Sequence, residues 1–282
     1  MADRSFKIGV VAPGSPIEPD LAEQVKGVAA SLDCERALDI SFHPQCFQSA
    51  GHFAGPDTIR CDAFVEIAND ASFDALWFAR GGYGSCRLIE RALPRLKREA
   101  RKKHYLGYSD TGTILAALYA DGFPNVAHGP MPADIMREGG KAAVSRALAY
   151  LCDHDASALE PSLSPKKKSA AFNISILSHL IGTPYQPDLA GHVLMLEEIS
   201  EQMYRIDRSL FHITSNPDIR KAAGIMLGRC GDILPNDPDF EQTEEQIAKH
   251  WCEVSQIPYL GRADIGHDKD NKVVPFGAPP TA

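Results

Sequence analysis

The chain has 282 residues, which predicts one large domain or two of modest size. Hydrophobic residues make up 44% of it, enough to fill a sizeable core. Pro plus Gly is 42 of 282 residues, near average usage, so a collagen-like or disordered chain is not expected. Its formal net charge is −8, and because an acidic chain repels phosphate backbones on average, nucleic acid is not expected as a partner.

The N-terminal part of the chain predicts strands that alternate with helices. Short apolar runs predict strands at 7–12, 38–42, 75–79 and 104–108, and apolar residues at helical spacing predict helices at 19–32, 57–69, 86–96 and 111–119. This alternation is typical of an α/β protein with a Rossmann-like, mainly parallel sheet and helices on both faces. Ligands of such sheets bind beyond the carboxyl ends of the strands.

The pattern changes after about residue 150. Segment 157–169 is polar, contains two prolines and is typical of a linker. Beyond it the chain predicts strands at 193–196 and 223–227, a helix at 203–214 and an acidic surface segment at 235–246. We therefore expect an N-terminal domain over residues 1–150, a linker over 151–168, and a smaller C-terminal α/β or mostly β domain over 169–282.

The cysteines and the N-terminus bear on the cellular compartment. The seven cysteines are odd in number and form no C-x-x-C pair, which argues against a disulfide framework and a structural zinc site. The N-terminus has no basic stretch followed by a long apolar run, and no segment approaches the roughly 18 apolar residues of a membrane span. A cytoplasmic protein with reduced thiols and no membrane contact is expected.

A glycine-rich segment, residues 80–84, directly follows the predicted strand 75–79 and is called the glycine loop below. Its three glycines allow backbone N–H groups to approach a ligand closely. It is not a dinucleotide fingerprint, because Arg87 stands where the last glycine of G-x-G-x-x-G would be. Two interpretations remain: a cradle for an oxyanion or carboxylate, or a tight turn between a strand and a helix.

Segment 107–112, called the serine turn below, has the layout of a nucleophile elbow. Ser109 comes at the end of a predicted strand and just before a predicted helix, so its hydroxyl would stand above the sheet. The N–H groups at the helix start would face a developing negative oxygen. The second glycine comes one residue late for G-x-S-x-G, and the alternative is that Ser109 or Asp110 only caps the helix.

A nucleophilic serine needs a base, and the base needs an acid that orients it. Among the ten histidines, His267 stands out because it follows a glycine in a polar loop near the end of the chain. Glu197 directly follows the apolar strand 193–196, where a carboxylate is partly desolvated; the alternative is a surface residue at a strand end. Spacing alone does not show that Ser109, Glu197 and His267 meet.

Eight short blocks follow one another along the chain, at 8–13, 80–84, 107–110, 128–130, 173–175 with 180–185, 196–198, 204–208 and 266–267. In this order they resemble the LD-carboxypeptidases, the serine peptidase family that includes muramoyltetrapeptide carboxypeptidase. Each block is short and weakly specific by itself. The resemblance rests on all of them together, and it covers nearly the whole chain.

The resemblance implies a Ser–His–Glu triad shared between two domains, with Ser109 as nucleophile, His267 as base and Glu197 as the orienting acid. It also implies an oxyanion hole formed by the backbone N–H groups of Gly82 and Asp110. The implied reaction releases terminal D-alanine from a muropeptide tetrapeptide by cutting the bond to the L-centre of a diamino acid. No metal or organic cofactor is implied, and the implied assembly is a homodimer.

Three residues depart from the pattern of this family. Glu198 replaces the usual aspartate, which leaves open which of the two glutamates acts. Phe172 stands where a glycine is frequent and would narrow the cleft, and Asp268 places a second carboxylate next to His267 in the sequence. The residue that holds the substrate's free carboxylate is also open, with Arg80 and the N–H groups of the glycine loop as candidates.

Two other functions are compatible with the same residues. Relatives in this family confer self-immunity to microcin C by hydrolysing a peptidyl-nucleotide, and here Phe172 or Trp77 would be the ring that stacks on the adenine. The second alternative is an α/β protein that binds a ligand without catalysis, with the glycine loop cradling a carboxylate.

Overall fold

A computed structural model describes residues 4–279 as two sheets with flanking helices. The strands are β1 Phe6–Val11, β2 Leu38–Phe42, β3 Ala75–Phe78, β4 His104–Gly107, β5 Val126–His128, β6 Lys168–Asn173, β7 His192–Ile199, β8 Gly224–Gly231, β9 Tyr259–Arg262 and β10 Val274–Pro275. The helices are α1 Pro19–Ala30, α2 Asp57–Asn69, α3 Cys86–Ala92, α4 Gly112–Ala120, α5 Gly140–Asp153, α6 Ile174–Leu180, α7 Met203–Ser215 and α8 Glu244–Ser255.

The first sheet has six strands in the order β10-β5-β4-β3-β1-β2. β1 to β5 are parallel, and only β10 runs antiparallel, beside β5. Alternate residues of the strands face two different cores: Ile8 and Val10 pack with α1 and α5, whereas Val11 packs with α2 and α4. Strands covered on both faces are apolar along their whole length, which explains the continuous run in β1. The predicted Rossmann-like, mainly parallel sheet is confirmed.

The second sheet is parallel throughout, in the order β6-β7-β8-β9. Helices α6, α7 and α8 pack on one of its faces, where Leu177, Ile206 and Ile247 are buried in the same core as α4. Because parallel strands need crossover helices, the smaller part of the molecule is α/β rather than mostly β.

The structure differs from the predicted elements at several points. The predicted helix 86–96 ends at Ala92, because Pro94 lies in a short 3₁₀ turn that follows. β6 begins at Lys168, inside the basic run that was assigned to the linker. β10 comes from the end of the chain and completes the first sheet, and so short a strand has no detectable pattern. The domain boundaries stay a prediction.

Helix length and hydropathy bear on membrane contact. Within residues 4–279, no helix is both long and apolar enough to cross a membrane.

Candidate active site

A cleft of 710 Å³ opens beyond the carboxyl ends of the first sheet. Its walls include the glycine loop after β3, the serine turn after β4, the segment after β5 and the loop that precedes β10. Of the predicted site residues, Ser109, Gly82 and His267 line it, together with Arg80 and Arg137. The site therefore lies where an α/β sheet is expected to bind its ligands.

Ser109 occupies a strained position in the serine turn. Its φ of +58° is in the left-handed region, which a residue with a side chain rarely adopts. A Cβ atom at Gly81 would lie 2.9 Å from Ser109 Oγ, so the absence of a side chain there lets the glycine loop reach the hydroxyl. Neither Ser109 nor Asp110 caps α4 with its side chain, so the capping alternative is wrong.

The glycine loop packs closely against Ser15, and a hydrogen bond connects the residue after it to the serine turn. Gly82 has a φ of +85°, and a Cβ atom there would overlap the hydroxyl of Ser15. Asp110 Oδ2 accepts a hydrogen bond from Ser85 N at 2.8 Å, which ties the loop to the turn. Burial raises the pKa of this carboxyl group. Within residues 4–279 the N–H of Gly82 has no hydrogen-bond acceptor, so it remains available to a ligand.

Glu197 and His267 form a buried pair. Glu197 is fully buried within β7, two residues before the strand ends at Ile199, and its Oε2 lies 2.6 Å from His267 Nδ1. Burial acts to lower the pKa of His267, but the carboxylate of Glu197 outweighs it, so the net shift is upward. A neutral imidazole donating from Nδ1 keeps Nε2 free to accept a proton.

Ser109 and His267 line the same cleft without a hydrogen bond between them. His267 Nε2 is buried and has no hydrogen-bond partner within the described residues. The structure therefore brings Glu197 and His267 into contact, and it places Ser109 in the lining of the same cleft.

Glu198 faces away from the imidazole. Its carboxylate accepts hydrogen bonds from Asn173 Nδ2 at 2.6 Å, Ser175 Oγ at 2.6 Å and Ser175 N at 2.9 Å. Successive side chains of a strand point to opposite faces, so only one of two adjacent glutamates reaches the histidine. The geometry selects Glu197.

The loop 263–273, called the histidine loop below, is fastened by ionic contacts. Arg229 on β8 pairs with Asp264 at 2.5 Å and also with Asp268. Asn271 Oδ1 accepts a hydrogen bond from Gly266 N at 3.2 Å. Asp268 is thus paired with Arg229, and the described residues show no ion pair between it and the imidazole of His267.

Phe172 and Trp77 do not line the cleft. Phe172 is 1% exposed and packs against Phe276, with ring centroids 5.0 Å apart. Trp77 is fully buried, and its Nε1 donates to Pro130 O at 2.8 Å. The expectations that Phe172 narrows the cleft, or that either ring stacks on an adenine, are therefore wrong.

Sequence reasoning missed a buried contact between Tyr108 and Asp134, to which the exposed Arg137 also binds. Tyr108, next to the nucleophile candidate, packs its ring 4.7 Å from that of His267 and donates its hydroxyl to Asp134 Oδ1 at 2.7 Å. Arg137 Nε donates to the same oxygen at 3.0 Å. In the sequence, the one feature that could have indicated a role for Asp134 and Arg137 is that they closely follow the block at 128–130.

Gly228 on β8 provides the space for the Glu197–His267 pair, which gives a first prediction. A Cβ atom there would lie 2.9 Å from Glu197 Cβ and 2.8 Å from Ile265 O in the histidine loop. We expect Gly228→Ala to lower the free energy of unfolding by about 1–3 kcal/mol, because the added methyl group overpacks this site. We also expect it to lower kcat/KM for a muropeptide tetrapeptide by at least about 10-fold, because it moves Glu197 and His267 apart. Thermal melts and steady-state kinetics measure the two effects.

Gly231→Ala on the same strand is the matched control, because the nearest atom to its added Cβ would be 4.0 Å away. We expect this variant to behave like the wild type. Equal losses in both variants would contradict the specific role of Gly228.

Models of one protein family match most of the chain. The LD-carboxypeptidase N-terminal domain matches residues 8–129, and the LD-carboxypeptidase C-terminal domain matches residues 170–281. The chain belongs to the LD-carboxypeptidase family. This LD-carboxypeptidase is therefore a serine-type hydrolase, and the alternative of a binding protein without catalysis is set aside.

Two curated relatives are similar in sequence to this chain over most of their own length. The chain is 26% identical to the probable murein peptide carboxypeptidase of Bacillus subtilis, over 96% of this chain and 86% of the relative. It is 25% identical to the murein tetrapeptide carboxypeptidase of Pseudomonas aeruginosa, over 96% and 91%. Both relatives are thus similar to this LD-carboxypeptidase across both sheets.

Solved structures show the same fold. The muramoyltetrapeptide carboxypeptidase from Oxalobacter formigenes superposes with a TM-score of 0.78 at 23% identity, covering 95% of this chain and 93% of the other. The microcin C7 self-immunity protein MccF also reaches a TM-score of 0.78, at 17% identity and 97% and 91% coverage. At these identities the likeness establishes the fold of this LD-carboxypeptidase and does not separate the two activities.

Proposed function

We propose that this LD-carboxypeptidase releases terminal D-alanine from muropeptide tetrapeptides, as a step in peptidoglycan recycling. The bond cut is the amide between the L-centre of a diamino acid and the D-alanine. The observation that carries the proposal is the buried Glu197–His267 pair facing the same cleft as the strained Ser109. The names of the Bacillus and Pseudomonas relatives support the murein substrate.

The reaction proceeds through an acyl-enzyme. Ser109 Oγ attacks the carbonyl carbon while His267 Nε2 takes the hydroxyl proton. The tetrahedral oxyanion is stabilised by the backbone N–H groups of Gly82 and Asp110, each worth on the order of 3 kcal/mol. His267 then gives its proton to the leaving nitrogen, and D-alanine departs. Water, activated by the same imidazole, hydrolyses the ester and restores Ser109.

Glu197 orients the imidazole and stabilises its cation. In the substrate complex, Ser109 and His267 come within hydrogen-bonding distance, as catalytic contacts commonly tighten once substrate is bound. These steps need no metal and no organic cofactor. We further propose that the enzyme acts in the cytoplasm as a homodimer, and that neither nucleic acid nor a membrane is its partner.

The pH dependence gives a second prediction. Only neutral His267 accepts the proton of Ser109, so kcat/KM is lost as the pH falls through the pKa of this group. Burial lowers the pKa of His267, but the carboxylate of Glu197 raises it more strongly. Asp134 also raises it and Arg137 lowers it, and the net result is a pKa above the ordinary 6.5. We expect the acidic limb of a kcat/KM profile above pH 6.5, and a shift to lower pH in Glu197→Gln. An acidic limb below pH 6.5 in the wild type would contradict this assignment.

Mass-resolved product analysis tests the substrate class. The enzyme is incubated with a disaccharide tetrapeptide, the corresponding tripeptide and a peptidyl-nucleotide of the microcin C type. We expect free D-alanine and tripeptide from the first substrate only. Cleavage of the peptidyl-nucleotide alone would contradict the murein assignment and support self-immunity instead.

A further inference from the structure

The cleft contains two guanidinium groups, those of Arg80 and Arg137. A carboxypeptidase must recognise the free carboxylate at the end of its substrate. We propose that Arg137, and not Arg80, binds this carboxylate and restricts the enzyme to substrates with a free terminus. The inference rests on the function proposed above and assigns the part of that site that selects the end of the peptide.

Arg137 is fixed in a way that leaves its outer nitrogens free. Its Nε donates to Asp134, a carboxylate 4% exposed that also accepts from Tyr108 Oη at 2.7 Å and Met131 N at 2.8 Å. Within residues 4–279, neither of its terminal nitrogens forms a hydrogen bond of normal length and angle. Both terminal nitrogens therefore remain for a paired contact with a second carboxylate, the geometry in which arginine binds such groups best.

The position of His267 determines where in the cleft the terminal carboxylate of the substrate must lie. The imidazole protonates the leaving nitrogen, and in D-alanine the carboxylate oxygens lie roughly 3–4 Å from that nitrogen. The cation that binds them must therefore stand on the imidazole side of the cleft. Arg137 meets this condition, because Asp134 joins it to Tyr108, whose ring centroid lies 4.7 Å from that of His267.

Arg80 belongs to the glycine loop, the part of the cleft that the proposed mechanism gives to the oxyanion. It directly precedes Gly81 and Gly82, the part of the glycine loop next to Ser109, so it adjoins the oxyanion and not the leaving group. Its Nη1 donates to Pro16 O at 3.2 Å, close in the chain to Glu18 and Asp20.

The charges around Arg80 disfavour an anionic ligand there. Glu18 and Asp20 both line the cleft beside the segment that Arg80 contacts, and they would repel a substrate carboxylate. Near Arg137, by contrast, the carboxylate of Asp134 is already paired with the guanidinium. The terminal carboxylate is thus drawn to the wall of the cleft where His267 acts.

The test compares two substrates that differ only at the terminus: a tetrapeptide ending in D-alanine and the same peptide ending in D-alaninamide. We expect Arg137→Gln to lower kcat/KM for the free acid by about 10–100-fold, mostly through KM, because a charge-assisted contact is lost. The amide should be cleaved by this variant about as well as by the wild type. The preference for the free acid therefore collapses.

Two further variants make the test specific. Arg80→Gln, the matched control, should keep the wild-type preference for the free acid. Arg137→Lys should regain part of that preference, because it retains the charge and loses the paired geometry. It also serves if Arg137→Gln proves unstable in thermal melts.

Three outcomes would overturn the inference. If Arg137→Gln keeps the wild-type preference for the free acid over the amide, Arg137 does not bind the terminal carboxylate. If Arg80→Gln loses that preference, Arg80 binds it instead. Equal losses on acid and amide in Arg137→Gln would show a structural role only. In all three cases the wild type still releases D-alanine and the proposed function stands. If the wild type cleaves no tetrapeptide, the proposed function and this inference fail together.

Discussion

Replacing Ser109 by alanine is expected to lower kcat/KM for a disaccharide tetrapeptide by at least about 10⁴-fold, because among residues 4–279 Ser109 is the one serine, threonine or cysteine that lines the cleft. The fold should persist, since alanine occupies the same left-handed backbone position as the serine. Ser109→Gly should be equally inactive yet more stable by about 1 kcal/mol, because glycine relieves the strain at φ +58°.

Ser85→Ala is the matched serine control for this experiment. Ser85 lies just after the glycine loop, and its buried hydroxyl has no hydrogen-bond partner within residues 4–279. Removing an unsatisfied hydroxyl costs little stability, and the N–H that binds Asp110 is kept. We expect near wild-type activity. Substantial turnover by a folded Ser109→Ala variant would rule out the nucleophile assignment.

The adjacent glutamates are expected to give opposite results when each is replaced by glutamine. Glu197→Gln should lower kcat by about 10²–10⁴-fold with little unfolding, because an amide neither stabilises the imidazolium nor fixes the tautomer that exposes Nε2. Steady-state kinetics and thermal melts on both variants distinguish loss of chemistry from loss of fold.

Glu198→Gln should instead lower stability while keeping activity within about 10-fold of the wild type. Glu198 accepts hydrogen bonds from Asn173, Ser175 and Ile199 N, and a glutamine NH₂ would face at least one of these donors. A buried donor left without an acceptor costs about 1–3 kcal/mol. If Glu198→Gln abolished activity and Glu197→Gln did not, the pairing with His267 would be irrelevant to catalysis.

The sequence allowed the first sheet and the candidates Ser109 and Glu197 to be predicted for a single physical reason. Apolar runs mark buried strands, and polar residues directly after them lie at the carboxyl edge of the sheet. His267 required the family resemblance, since nothing in the pattern of a polar loop indicates that it folds back against β7. The contact of its Nδ1 with Glu197 links residues 70 positions apart.

The features that could not be predicted depend on tertiary contacts. A shift of one residue in the register of β7 would turn Glu198 instead of Glu197 toward the histidine. The sequence does not reveal this register, because β7 pairs irregularly with β8 between Leu196 and Glu198. The sequence alone does not show that Phe172 and Trp77 lie on strands whose faces are covered, which is why neither ring can stack on a ligand. Arg137 gains its role from Asp134 and Tyr108, which no local pattern connects to it.

The central claim is that Ser109, activated by His267, is the nucleophile, and covalent labelling tests it most directly. The folded enzyme is treated with a fluorophosphonate and digested, and the labelled peptide is identified by mass spectrometry. The account predicts one adduct, on Ser109, with a labelling rate that falls at acidic pH and falls strongly in His267→Ala. An adduct on another residue that abolishes activity, or labelling of Ser109 that does not depend on His267, would contradict it.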